Sequence, residues 1–162
     1  MRRIGLTRRS DATWRKRAKG AGWLLLMVFI VSQFVRPART NPATDPVRSL
    51  LHVRPIPAHV ASTLDRACRD CHSNDTEWPW YSNVAPVSWF VIDHVNHGRS
   101  HFNYSDWSRY DAEESRRLLS TMCRLAREQE MPLSSYTWMH RQSRLRPADI
   151  EALCSWTADP SS

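Results

Sequence analysis

Cys68-Arg69-Asp70-Cys71-His72 places two thiols three positions apart and an imidazole directly after the second. C-x-x-C-H is the attachment sequence of a c-type haem. The spacing follows from the chemistry. Thiols about one helical turn apart can add to the two vinyl groups on one edge of a porphyrin, and the imidazole that follows reaches the iron. A zinc site would want a second ligand pair, yet Cys123 and Cys154 stand alone. A thioredoxin-like redox pair would want a strand–helix context. A structural disulfide would leave His72 unexplained. The motif therefore predicts one haem c, bound covalently through Cys68 and Cys71, with His72 on the iron. Cys123 and Cys154 stay open between a disulfide and two small buried hydrophobes.

A second axial ligand is wanted for a closed iron site. Met131 is favoured because it precedes Pro132 at a predicted helix end, where its side chain can turn into a pocket. A thioether there suits a haem iron, although a core-filling Met131 is the plainer alternative. His140 comes next, followed by His94, His97, His101, Met122, Met139 or an open position. His52 and His59 precede the motif and read as tether residues. Trp80, Tyr81 and Trp89, with Trp78, Trp107, Tyr136 and Trp156, can wall a porphyrin pocket or simply pack a core. Arg99 can grip a haem propionate in two-pronged fashion, or pair with Asp93 or Asp106.

The elements that position these residues read as helices. Val60, Leu64, Ala67 and Cys71 recur at helical spacing after Pro57. A second helix fits Val87 to His97 with Gly98 as its stop. A third fits Ala112 to Glu128, facing Leu118, Leu119, Met122, Leu125 and Ala126 inward. A last one opens at Pro147 and carries Ile150, Leu153 and Trp156. Only 4 of 162 residues are glycine, and no stretch alternates strictly. The expected fold is therefore all-α.

Net charge is +7, but its distribution matters more. Residues 1–19 hold eight of the 23 basic side chains and one of the 16 acidic ones, leaving fifteen of each for the rest. A balanced domain argues against nucleic acid as a partner. An uncharged run from Gly20 to Val35 follows the basic block, the pattern of a membrane topology signal. The division expected is a basic cytoplasmic segment (1–19), a transmembrane anchor (20–36), a Pro-rich extended tether (37–57) and a haem domain (58–160). This predicts a single-pass inner-membrane protein with its domain in the periplasm. A cleaved signal peptide is the competing reading, but small residues at a cleavage site are missing near Arg36.

The run Cys71-His72-Ser73-Asn74, then Trp78-Pro79-Trp80-Tyr81, then Pro86-Val87-Ser88-Trp89 resembles the bacterial haem-binding domain family. Asp93 to Arg99, Phe102 to Trp107, Glu130 to Leu133, Tyr136 and His140 extend the resemblance. Before the motif, Gln33 to Pro37 and Asn41-Pro42 also match. Arg146 departs from the usual Ser or Thr that caps the last helix, and Cys123 and Cys154 lie outside the pattern. The resemblance implies haem binding and a small helical fold of the cytochrome c type.

Two functions from different classes follow. A His72/Met131 pair closes the iron and suits electron transfer with an unidentified protein redox partner. An open distal site with a proton-handling pair such as His97 and Arg99 would instead suit a haem-based sensor or a peroxidase-like enzyme. The oligomeric state is not legible.

Overall fold

The computed structural model describes residues 7–159, with the side chains described from Thr13 onward. The first six residues of the expected basic segment, and Pro160 at the end of the expected domain, lie outside the described residues. Among the described residues eight α-helices follow one another: α1 (Thr7–Ser32), α2 (Leu50–Val53), α3 (Ala58–Ala67), α4 (Arg69–His72), α5 (Val87–His101), α6 (Ala112–Arg127), α7 (Ser134–Met139) and α8 (Pro147–Ala158). Short 3₁₀ turns join several of them, and no strand occurs among the described residues. The all-α expectation holds.

The transmembrane anchor does not. Among the described residues no helix is long and apolar enough to cross a membrane. The physical reason is visible in α1. Its first half is basic, and the uncharged run leaves the helix at Ser32, so only the 13 residues from Gly20 to Ser32 are both helical and uncharged. At 1.5 Å per residue they reach about 20 Å, against a hydrocarbon core of about 30 Å. The expectation of a single-pass inner-membrane protein with a periplasmic domain falls with the anchor.

The chain divides into two compact units. One comprises the residues up to Ala38 together with Pro79–Phe90. In it the Gln33 side-chain amide exchanges two hydrogen bonds with the Ala85 backbone, donating to the carbonyl at 3.2 Å and accepting from the N–H at 3.0 Å. The other unit, Arg39–Trp78 with Val91–Ser162, holds the core. Leu50, Val60, Leu64, Leu119 and Leu153 are almost wholly buried there, where α8 packs on α3 and α6. Leu50 sits in the stretch expected as an extended tether, which instead carries a 3₁₀ turn at Pro46–Arg48 and the short α2. Cys123 on α6 and Cys154 on α8 form a disulfide.

Helix ends are set by local chemistry. The Asp111 carboxylate accepts the Glu114 N–H at 2.8 Å and caps α6. At the head of α8 the capping position is Arg146, whose side chain has no oxygen to offer. Asp149, three residues on, accepts the Arg146 N–H at 2.8 Å and also pairs with Arg66 at 2.6 Å. These hydrogen bonds, led by those from Arg146, hold the Asp149 carboxyl well below the usual carboxylate range.

Candidate functional site

The helix expected from Ala58 through Cys71 breaks at Cys68, whose φ of −123° ends α3. The Cys68 N–H still bonds the Leu64 carbonyl at 3.0 Å, and its own carbonyl then accepts from Cys71 at 3.2 Å and His72 at 3.0 Å. The motif is therefore a separate single turn, α4, hinged on its first cysteine. With Cys123 and Cys154 bridged, the two motif thiols are free. Burial, reinforced by the neighbouring Cys71 thiol, pushes Cys68 up to about 12. Burial and then Asp70 push Cys71 up to about 11. Both thiols are neutral near pH 7.

His72 is buried. Burial lowers its pKa to about 4, against the pull of the Phe102 and Gly98 carbonyls, so the ring is uncharged at pH 7. Nδ1 lies 3.3 Å from the Phe102 carbonyl oxygen. The tautomer that donates there leaves Nε2 with a lone pair for a metal. The Phe102 ring stacks on the imidazole at 4.1 Å with an angle of 7° between planes. One residue thus fixes both the tautomer and the plane of the histidine.

The turn is held in a polar frame. The Asp70 carboxylate accepts the Tyr136 hydroxyl at 2.7 Å and the Glu77 N–H at 3.0 Å, and its carbonyl accepts the Thr76 hydroxyl at 2.7 Å. Burial, then the bond to Asp70, raises the Tyr136 pKa above its ordinary value. The Asn103 side-chain amide donates to the Asn74 side-chain oxygen at 2.7 Å. Gly98, expected as the stop of α5, lies inside that helix, which runs on to His101. A Cβ at Gly98 would stand 2.5 Å from the Cys71 carbonyl oxygen. The glycine is there so that α5 can press its backbone onto the motif.

Arg99, expected to face a propionate, binds backbone and side chains of its own unit. Nε donates to the Ser73 carbonyl at 2.7 Å, and the two terminal nitrogens reach the Thr40 carbonyl at 2.7 Å, the Asn41 side chain at 3.1 Å and the Thr76 hydroxyl at 2.7 Å. Met131 follows α6 after Gln129, which takes the left-handed φ of 56°. Its N–H bonds the Leu125 carbonyl at 3.2 Å, and its side chain is 37% exposed. Met122 is buried in the core, Met139 is exposed, and the His140 ring stacks on Tyr136 at 4.4 Å.

Trp80, Tyr81 and Trp89 belong to the first unit. Trp80 is exposed and meets Tyr81 edge to face at 5.8 Å, while the Trp89 indole donates to the Val35 carbonyl at 2.6 Å. Sequence reasoning assigned no role to Phe102 or Asp70, read Gly98 only as a helix stop, and read Tyr136 only as a pocket wall. Phe102 and Tyr136 stand inside matched motifs, but nothing in a motif tells which carbonyl will face a histidine.

Two free thiols one turn apart, beside a neutral imidazole with its far nitrogen already engaged, fit the donor set a haem c needs. A family model described as a haem-binding domain matches residues 27–159. No curated protein and no solved structure matches the chain.

Proposed function

The chain belongs to the haem-binding domain family and is a haem-binding protein, and from that premise we propose that it is a mono-haem c-type electron carrier. One observation carries the reading: the Cys68-to-His72 turn, with both thiols unbridged and the imidazole fixed by the Phe102 carbonyl. Attachment needs no oxidant or reductant. Each thiol adds across one vinyl double bond, its sulfur forming a C–S bond to one carbon while its proton goes to the other. His72 offers Nε2 to the iron, and the hydrogen bond at Nδ1 raises its basicity. Bound haem supplies one-electron chemistry at its iron. Met131, in the turn after α6, would offer a soft thioether to the iron, which would favour ferrous iron and close the site to small molecules. A protein redox partner would take the electron that bound haem supplies. Four hydrogen bonds already engage the Arg99 guanidinium, so the pair of His97 and Arg99 that a peroxidase-like site would need lacks its arginine. That favours the carrier over the sensor or enzyme.

The test is an absorption spectrum with mutants. Denatured protein should give a c-type pyridine haemochrome, and acid acetone should leave the haem on the chain. Cys68→Ala or Cys71→Ala should lose covalent retention, whereas full extraction from the wild type would refute attachment. Met131→Ala should abolish the weak ferric absorption at the red end, lower the potential and open the iron to carbon monoxide. An unchanged spectrum would transfer the ligand role to His140.

A further inference from the structure

Two histidines that the haem site does not use stand one turn apart on α5. His97 and His101 are both exposed, and positions four apart on a helix are neighbours on its surface. Their rings meet edge to face with centroids 4.5 Å apart, and the two Nε2 atoms are 3.0 Å from each other. Nitrogens this close either share a proton or turn both lone pairs onto one cation. The separation sets the geometry such a cation would meet. Imidazole–metal bonds are about 2.0–2.1 Å, so nitrogens 3.0 Å apart subtend about 90–100° at the ion. A tetrahedral zinc would spread them to about 3.3–3.4 Å. A right angle belongs to neighbouring positions of a tetragonal or octahedral ion, and among first-row divalent ions copper binds nitrogen most strongly. Asp93, one turn before His97, puts a negative charge on the same face of the helix.

We propose that His97 and His101 form a two-histidine site for a divalent copper or nickel ion. Among the described residues no cluster of three or more His, Cys, Asp or Glu is placed to hold a metal, so the remaining positions go to water. The site lies on the last turn of α5. Phe102, directly after His101, bonds its N–H to the Gly98 carbonyl at 3.2 Å and reaches His72 with both carbonyl and ring. An ion clipped across 97 and 101 therefore ties down the turn from which the haem-binding histidine is oriented.

The experiment titrates the untagged, haem-loaded full chain with Cu²⁺ at about pH 7.5, since imidazole binds metal in its neutral form. Calorimetry should find one copper per chain, and the electron paramagnetic resonance spectrum should show hyperfine splitting from two nitrogens. The second imidazole acts at high effective concentration once the first has bound. His97→Ala or His101→Ala should therefore each weaken binding about a hundredfold. Gln at either position, which keeps the polar shape without strong ligation, should behave the same way. His52→Ala removes an exposed histidine on α2 and should change the affinity by less than about twofold. Equal helix content by circular dichroism shows that the variants fold. Wild-type affinity in both single variants, or splitting from one nitrogen only, overturns the site and leaves the pair as a hydrogen-bonded couple.

Discussion

His72 is useful because three groups settle its state. Burial keeps it neutral, a carbonyl fixes its tautomer, and a stacked Phe102 fixes its plane. The same economy holds one position before Cys71. Asp70 carries no ligand, yet its two carboxylate oxygens and its carbonyl fasten the motif to Tyr136, Glu77 and Thr76. A hydrogen bond to a charged acceptor contributes about 1.5–3 kcal/mol. Tyr136→Phe should therefore destabilise the protein by about 1–2 kcal/mol, after allowance for partial exposure of the ring. Urea denaturation would read this directly, and a loss below about 0.5 kcal/mol would mean that Asp70 finds water as a substitute.

At the scale of elements, two terms compete at Gly98. Replacing a glycine inside a helix by alanine ordinarily gains about 1 kcal/mol from propensity. Here the new methyl would stand 2.5 Å from a backbone oxygen of α4, which has no rotamer to escape into. Overpacking of that kind costs about 1–3 kcal/mol or more, so Gly98→Ala should be net destabilising and should disturb the haem spectrum. A stabilised variant would show that α5 and α4 do not press together in solution. The head of α8 makes a pH-dependent prediction. Asp149 has its pKa lowered on folding, led by the hydrogen bonds from Arg146. Its contribution is fully present above the unfolded value of about 3.9 and is lost as pH falls below it. Asp149→Asn should cost about 1–2 kcal/mol at pH 7, and the gap between variant and wild type should close on acidification below about pH 4.

Across the whole molecule, a covalent tie joins two core helices, α6 and α8, over a separation of 31 residues. Closing a loop of that length removes roughly 3–4 kcal/mol of unfolded-state freedom. The double variant Cys123→Ser with Cys154→Ser should lower the melting temperature by well over 5 °C, since about 1 kcal/mol shifts a domain of this size by about 3–5 °C. Haem retention should be unaffected, because the bridge leaves Cys68 and Cys71 untouched. Dithiothreitol should reproduce the shift in the wild type and do nothing further to the variant.

The sequence alone determined the class of ligand and the helical class of the fold, because both are written locally. A C-x-x-C-H run sets its own spacing, and α6 and α8 were legible from apolar periodicity and Pro147. Local reading failed where the answer depended on a distant surface. Gly98 looked like a helix stop and is a contact point, since only the position of Cys71 makes its missing Cβ matter. Leu50 looked like tether and is core, because burial is a property of what packs around a residue. The uncharged run after Lys19 was expected to anchor the chain in a bilayer, but the helix ends at Ser32, and among the described residues no helix is long and apolar enough to cross one. The pairing of Cys123 with Cys154, and the carbonyl that orients His72, each join residues about thirty positions apart. Only the packing of helices brings such groups together, and no single stretch of sequence encodes that distance.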